Sequence, residues 1–279
     1  MDKQHIISLC RDSNEESHRK VLDQWLVAKD SIQEYFEEVE EEGAFPDLYG
    51  KTVLVSDSQF PFVHDVVKKI STLFDISQPE CFVYDSYRYV VDSEGISRPR
   101  LEISARLLAD FSKKELEHVL AKEMYHIAAS HLTLEVLAEK TEELFVSIPN
   151  MPGINIINQF GGSLAFEAAG FHFRNIAFSW FKSVCFSADN FATAYTSDLN
   201  SSLRATLMSV LNERGLVEAV DVKSYINQIG KIESCLGPAA TIERVNEVIP
   251  YAPYRIKNML NFMTSENGIE LFLNLNKEA

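Results

Sequence analysis

Cysteine, positive charge and long apolar runs are all scarce in this chain of 279 residues. Its four cysteines are Cys10, Cys81, Cys185 and Cys235, and no two of them form a Cys-x-x-Cys pair. This wide spacing gives no indication of a disulfide framework. A chain of this length can bury a substantial core without disulfide or metal cross-links.

The shortage of positive charge excludes one class of partner. Lysine and arginine number 26 against 41 aspartate and glutamate residues, which gives a formal net charge of -15. Such an excess of negative charge opposes binding to phosphate backbones and to anionic lipid, so we expect no nucleic-acid partner. The densest acidic run, Glu37 to Gly43, indicates a solvated helix end or, alternatively, a surface for a basic partner.

No part of the sequence is both long and uninterruptedly apolar. The most apolar region, residues 151 to 187, is interrupted by polar and charged residues: Asn155, Asn158, Gln159, Glu167, His172, Arg174 and Lys182. No window there reaches the run of about 20 apolar residues that a membrane-spanning helix needs. The N-terminal residues also lack the basic start and apolar core of a secretory signal. We therefore expect a soluble, cytoplasmic protein.

Helical periodicity covers the first part of the chain. It predicts one helix over residues 13–42 that ends at Gly43 and Pro46, and a second helix that starts after Pro61. Two runs rich in aromatic and β-branched residues follow, ECFVYDSYRYVVDS and RPRLEISARLL. They predict two strands that pair across a turn at Ser93–Gly95.

Helices are predicted again after these strands. Ser112 to Glu115 reads Ser-Lys-Lys-Glu, a capping-box pattern, and the helix that it starts should continue to about Ala138. Another helix should cover residues 174–194. Later helices should break at Gly215, Gly237–Pro238 and Pro250. The pattern predicts an α+β fold that is predominantly α, with one small sheet early in the chain.

The segment AKEMYH, residues 121–126, lies inside the helix that starts at Ser112 and nearly spells a zinc-protease motif. Positions 122 and 126 lie one helical turn apart on one face. In His-Glu-x-x-His motifs two histidines at this spacing bind zinc, and the intervening glutamate activates its water. Glu123 and His126 fit this pattern, but Lys122 does not. On a continuous helix His131 would point about 140° away from His126 and cannot replace the missing histidine.

The surrounding sequence resembles a family of zinc metallopeptidases that includes the HtpX-type and CAAX prenyl proteases. The match is carried by LEISARLLADFSKKELEHVLAKEMYHIAASHLTLEVL around the motif. Three further segments resemble the family in the expected order: QFPFVHDVVKKISTLFDISQPECFVYD, WFKSVCFSADNFA and IPYAPYRIKNMLNFMTSENG. The resemblance implies a zincin-like domain over residues 57–279, with residues 1–56 as a helical extension packed on it.

The resemblance also assigns roles to single positions. The three zinc-ligand positions fall on Lys122, His126 and Cys185, and the general-base position falls on Glu123. The family's auxiliary histidine, which precedes a proline and stabilises the oxyanion, corresponds here to Ile249.

Two further family positions are retained in this chain. Arg255 keeps the family arginine. Asp189 keeps an aspartate that supports the ligand shell through hydrogen bonds. On the residues alone, Asp189 can also be interpreted as an acid on a helix surface.

Charge balance suggests a different use for Lys122. Its amine ligates zinc only when deprotonated, which costs about 4.6 kcal/mol at neutral pH because the reference pKa is about 10.4. One ammonium, one Glu123 carboxylate and a neutral Cys185 thiol sum to zero charge without a metal. We therefore expect no metal cofactor, and we expect the Lys122 ammonium to fill part of the vacated zinc space and bond Glu123 or a nearby acceptor.

Three functions follow from these positions. The first is a pseudopeptidase whose metal-free cleft binds a peptide, protein or small molecule without cutting it. The second is an enzyme repurposed for acyl or carbonyl chemistry, with Lys122 or Cys185 as nucleophile beside Glu123 and His126. The third is a divergent zinc metallopeptidase, in which Lys122, His126 and Cys185 would hold zinc.

The region 151–187 is also rich in phenylalanine: Phe160, Phe166, Phe171, Phe173, Phe178 and Phe181. Phenylalanine most often belongs to the core. The alternative for this segment is an interaction surface that serves dimerisation or peripheral membrane contact.

Overall fold

The structure, a computed structural model, describes residues 1–26, 29–147, 162–235 and 249–276. Its helices are α1 (Lys3–Cys10), α2 (Glu15–Trp25), α3 (Lys29–Tyr35), α4 (Glu42–Lys51), α5 (Pro61–Phe74), α6 (Ala105–Asp110), α7 (Lys113–Ala128), α8 (His131–Ser147), α9 (Gly162–Thr196), α10 (Leu199–Leu211), α11 (Arg214–Val217), α12 (Val222–Ile226), α13 (Gln228–Ser234), α14 (Ala252–Met263) and α15 (Glu266–Leu275). The strands are β1 (Val53–Leu54), β2 (Glu80–Tyr84), β3 (Val91–Glu94) and β4 (Arg100–Ser104). The described part is α+β and mostly helical, as predicted.

The four strands form one mixed sheet in the order β1-β2-β4-β3. β3 and β4 pair antiparallel across the turn that contains Gly95, as predicted. The first of the two predicted strands is wrong in extent, because that run covers β2 and most of β3, and Ser93 lies within β3. Gly95 has a φ of 91°, and a Cβ there would lie 2.6 Å from the Glu41 carboxylate, so only glycine fits. β2 pairs with β4 in parallel, and β3 is left at the edge of the sheet.

Helix α7, which carries AKEMYH, begins as the sequence predicts. The Ser112 hydroxyl accepts from the Glu115 N–H, and the Glu115 carboxylate accepts from the Ser112 N–H at 2.7 Å. The predicted extension to Ala138 is wrong, because α7 ends at Ala128 and Ser130 has a left-handed φ of 57°. The chain turns at Ser130, and α8 leaves in a new direction.

Helix α7 lies in the centre of the core, against α5, α9 and α10. Tyr125 of α7 stacks on Phe191 of α9 with ring centroids 5.6 Å apart, and Phe74 of α5 lies 4.9 Å from Phe191. Aromatic residues of this size dominate the burial of apolar area in a core. The core therefore fixes the direction of α7.

The N-terminal residues share this core rather than forming one of their own. Ile6 and Cys10 of α1 are fully buried in the same cluster, and β1 pairs with β2 of the sheet. The division of the chain after residue 56 stays a prediction.

The acidic run at residues 37–43 differs from the solvated helix end that the sequence suggests. Gly43 and Pro46 do not end a helix, because both lie inside α4. A π-helical turn, Phe36–Glu41, leads directly into α4. At the end of this turn the side chain of Glu41 points into the protein, and the residue is 1% exposed.

The buried Glu41 carboxylate holds the turn between β3 and β4. It accepts from the backbone N–H groups of Ile96 at 3.1 Å, Ser97 at 3.2 Å and Arg98 at 2.6 Å. Hydrogen bonds to a charged group are the stronger ones in proteins. The N-terminal helices therefore hold the hairpin that carries edge strand β3.

Four other helix predictions need comment. The single helix over 13–42 is wrong, because Leu26 is extended after α2 and residues 27–28 lie outside the described part. Gly215 lies inside α11, and the chain turns instead at Asn212, whose φ is 50°. The predicted helix over 174–194 is confirmed within α9, whereas Gly237–Pro238 lies outside the described residues.

Candidate functional site

A cleft of about 850 Å³ opens beside α7. Its walls are the segment that leads into β3, the second half of α10, and the start of α14. Lys122 and Glu123 of α7 form part of its floor, and Ile249, 58% exposed, lies at its mouth. A concave site of this size, with a few polar groups on its floor, is typical of a ligand-binding cleft.

Both oxygens of the Glu123 carboxylate are engaged. The Lys122 ammonium lies 2.7 Å from Oε1, and the Ser93 hydroxyl of β3 donates to Oε2 at 2.9 Å. The side chains of Lys122 and Glu123 are 20% and 10% exposed. This pair therefore joins the floor of the cleft to the edge strand above it.

The protonation states around this pair follow from burial and neighbouring charge. Burial opposes the charged form of Lys122, but Glu123, Cys185 and Asp189 together raise its pKa above the ordinary value, so it is an ammonium. Burial raises the pKa of Cys185 to about 11, so this side chain is a thiol at neutral pH. Burial and the Lys122 charge hold the pKa of His126 well below its usual range, so the imidazole is neutral.

Asp189 and Arg255 form a buried ion pair beside these residues. Arg255 donates from Nε to Asp189 Oδ2 at 2.8 Å and from an Nη atom to Oδ1 at 2.7 Å. Asp189 is fully buried, so its interpretation as a surface acid is wrong. Burial opposes the carboxylate, but Arg255 outweighs burial and lowers the pKa of Asp189. The pair neutralises both charges and connects α9 to α14.

The break at Ser130 places His131 differently from the sequence prediction. His131 Nδ1 lies 3.1 Å from His126 Nδ1, because α8 starts in a new direction. His131 Nε2 lies 3.7 Å from the carboxylate of Glu15 in α2, which is 4% exposed. The Nδ1 atom of His126 is therefore in contact with the ring of His131. No glycine or proline in this stretch of the sequence signals the turn.

Sequence reasoning also missed His118, which borders the cleft one turn before Lys122. It is 1% exposed, and its ring interacts with the backbone of Ala192, although neither ring nitrogen reaches ordinary hydrogen-bond geometry among the described residues. Burial lowers the pKa of His118 to about 4, so the ring is neutral. The four-residue spacing of His118, Lys122 and His126 on one helix face is the signal that could have found it.

An acidic rim beside the cleft was also missed. Partial desolvation and the Glu123 charge raise the pKa of Asp92 to about 6. Partial desolvation raises the pKa of Glu94 to about 7. Desolvation and the charges of Glu123 and Glu139 raise the pKa of Glu135 to about 8.

The donor set at the three ligand positions does not fit zinc. Lys122 is a cation bonded to a carboxylate, Cys185 is a buried thiol, and zinc needs deprotonated ligands. Within residues 1–26, 29–147, 162–235 and 249–276, no three or more His, Cys, Asp or Glu side chains are arranged to hold a metal ion.

The phenylalanines of 151–187 divide between core and surface. Phe173 is fully buried, Phe178 and Phe181 are partly buried, and Phe171 is 40% exposed. Phe160 and the side chain of Phe166 lie outside the described part. An interaction surface here stays a prediction. No helix within the described ranges is long and apolar enough to cross a membrane.

Comparisons with protein-family models, with curated proteins and with solved structures find no match to this chain.

Proposed function

We propose that the chain is a degenerate zinc-metallopeptidase homologue, a pseudopeptidase with a zincin-like fold, and that its metal-free cleft binds an extended peptide without cutting it. One observation carries the proposal. The Lys122 ammonium bonds the carboxylate at the general-base position at 2.7 Å. A general base must be free to accept a proton from water, and this carboxylate is held by a cation instead.

Edge strand β3 supplies the peptide-binding feature of the proposal. The Ser104 N–H donates to the Val90 carbonyl at 2.9 Å, so the register turns the backbone groups of Asp92 and Glu94 toward β4. The N–H and C=O groups of Val91 and Ser93 therefore point outward, and no strand in the described part pairs with that edge. An extended peptide can add to such an edge as a further strand.

The pKa shifts at the site argue against the repurposed enzyme. A nucleophilic cysteine or lysine needs a depressed pKa, so that the reactive form is populated at neutral pH. The pKa of Cys185 is raised to about 11 and that of Lys122 is raised as well. The zinc-peptidase alternative requires Lys122 to lose a proton that Glu123 helps to hold.

A triple reversion tests the proposal. Lys122→His, Cys185→Glu and Ile249→His together restore the family's pattern at three positions. We expect the wild-type chain to bind extended peptides by fluorescence anisotropy, without bound zinc and without product by mass spectrometry. The reversion should gain zinc and begin to cleave the same peptides. Cleavage by the wild-type chain, or its failure to bind any peptide, would overturn the proposal.

A further inference from the structure

Four carboxylates on β3 and α8 have no cation of their own, and of these Asp92 lines the cleft whereas Glu135 and Glu139 line a second pocket. Asp92 and Glu94 lie on the same face of β3, two residues apart, and Glu135 and Glu139 lie one turn apart on α8. In the described ranges no lysine or arginine nitrogen comes within 4.0 Å of Asp92, Glu94, Glu135 or Glu139, since the ion pairs found there involve other carboxylates.

The nearby cationic side chains form ion pairs with other carboxylates. Arg100 bonds Glu102 at 2.8 Å, and Lys122 bonds Glu123 at 2.7 Å. His126 Nδ1 lies 4.0 Å from Glu135, but burial keeps the pKa of His126 low and its ring neutral. Desolvation is the largest cause of the raised pKa values of Asp92, Glu94 and Glu135. Repulsion within the group adds to it for Glu94 and Glu135, whereas the charges of Glu123 and Glu102 add to it for Asp92.

An independent feature of the same cleft is incompletely paired. The neutral ring of His118 can donate one hydrogen bond and accept another, and in the described part of the chain it interacts with the backbone of Ala192, which leaves at least one ring nitrogen without a partner. A buried polar group without a hydrogen-bond partner destabilises the folded chain. A peptide seated in the cleft would bring backbone N–H and C=O groups that can satisfy His118 after a small side-chain movement.

The chemistry of the rim favours an organic cation over a metal ion. No His, Cys, Asp or Glu group of three or more in the described residues has the arrangement of a metal site. The carboxylates are instead spread along a strand and a neighbouring helix. Lysine and arginine reach such spaced charges because their charged groups sit at the end of long side chains.

We propose that the peptide bound along β3 carries lysine or arginine at two alternate positions, in the pattern basic-x-basic, opposite Asp92 and Glu94. The inference rests on the proposed function, because it names the class of partner for the same cleft. Side chains two residues apart on a bound strand lie on one face, as Asp92 and Glu94 do on theirs. Basic residues at adjacent positions would point to opposite faces of the strand, so one of them could not reach Asp92 or Glu94.

Three labelled peptides of equal length test this pattern. The first is Val-Lys-Thr-Lys-Val, the second is Val-Lys-Lys-Thr-Val with the same composition, and the third is Val-Gln-Thr-Gln-Val. Fluorescence anisotropy measures their affinity for the full chain. We expect the first peptide to bind about tenfold more tightly than the other two at low salt, and the advantage to shrink as salt screens the rim.

Two double variants complete the test. Asp92→Asn with Glu94→Gln should abolish the preference for the first peptide and leave binding of the glutamine peptide unchanged. Asp57→Asn with Glu233→Gln removes the same charge from exposed sites that do not line the cleft, and should keep the preference. Equal affinity for all three peptides would overturn the inference and leave the proposed function standing. Binding of none of them would overturn both.

Discussion

Removing the ammonium of Lys122 tests the electrostatic basis of the site. Lys122→Met keeps most of the side-chain volume but leaves the Glu123 carboxylate, 10% exposed, with the hydrogen bond that the Ser93 hydroxyl donates. Asp92 and Glu135 then repel it, and the cation that still attracts it, Arg255, is already paired with Asp189. Breaking a fully buried pair costs about 3–5 kcal/mol, and the partial exposure of this pair reduces the expected loss to about 2–3 kcal/mol.

Urea unfolding followed by tryptophan fluorescence measures this loss. Adding Glu123→Gln to Lys122→Met should recover more than half of it, because no unpaired charge then remains. Lys114→Met serves as the control, since Lys114 pairs with Glu117 on the same helix but is 47% exposed. We expect the control to lose less than about 1 kcal/mol. A Lys122→Met variant as stable as the control would refute the assigned ion pair.

Three further perturbations have expected outcomes. The pKa of Glu135 is raised from 4.5 to about 8, so between these pH values the folded chain keeps a proton that the unfolded chain releases. The free energy of unfolding should therefore fall as pH rises from 4.5 to about 8. Glu135→Gln should flatten that fall in urea unfolding at a series of pH values. Glu41→Ala should cost about 2–4 kcal/mol and expose the amides of residues 96–98 to hydrogen exchange, whereas Glu38→Ala should do neither. Asp189→Asn should cost about 3 kcal/mol in urea unfolding, because Arg255, 11% exposed, loses its charged partner.

Local signals in the sequence predicted the helix that carries the site. The capping box at Ser112 fixes the start of α7, and the turn at Gly95 fixes the β3–β4 hairpin. Both depend on residues close together in the chain, so their hydrogen bonds can be anticipated from spacing. The contact between Lys122 and Glu123 was expected from charge balance rather than from spacing, because adjacent residues on a helix do not face each other.

Features that depend on distant contacts were not predictable in this way. The turn at Ser130 contains no glycine or proline, and it brings His131 beside His126, where a continuous helix would point the two side chains apart. Glu41 belongs to an acidic run that local charge assigns to solvent, but the distant β3–β4 turn supplies donors for its carboxylate. Burial of His118 follows from the packing of α7 against its neighbours, which periodicity alone does not give.

Zinc content tests the central claim most directly. The wild-type chain, purified without chelators and dialysed against zinc, is analysed by inductively coupled plasma mass spectrometry beside His126→Ala. The account predicts that both proteins hold only background zinc, because the Lys122 ammonium already neutralises Glu123. One zinc per wild-type chain, lost in His126→Ala, would contradict it.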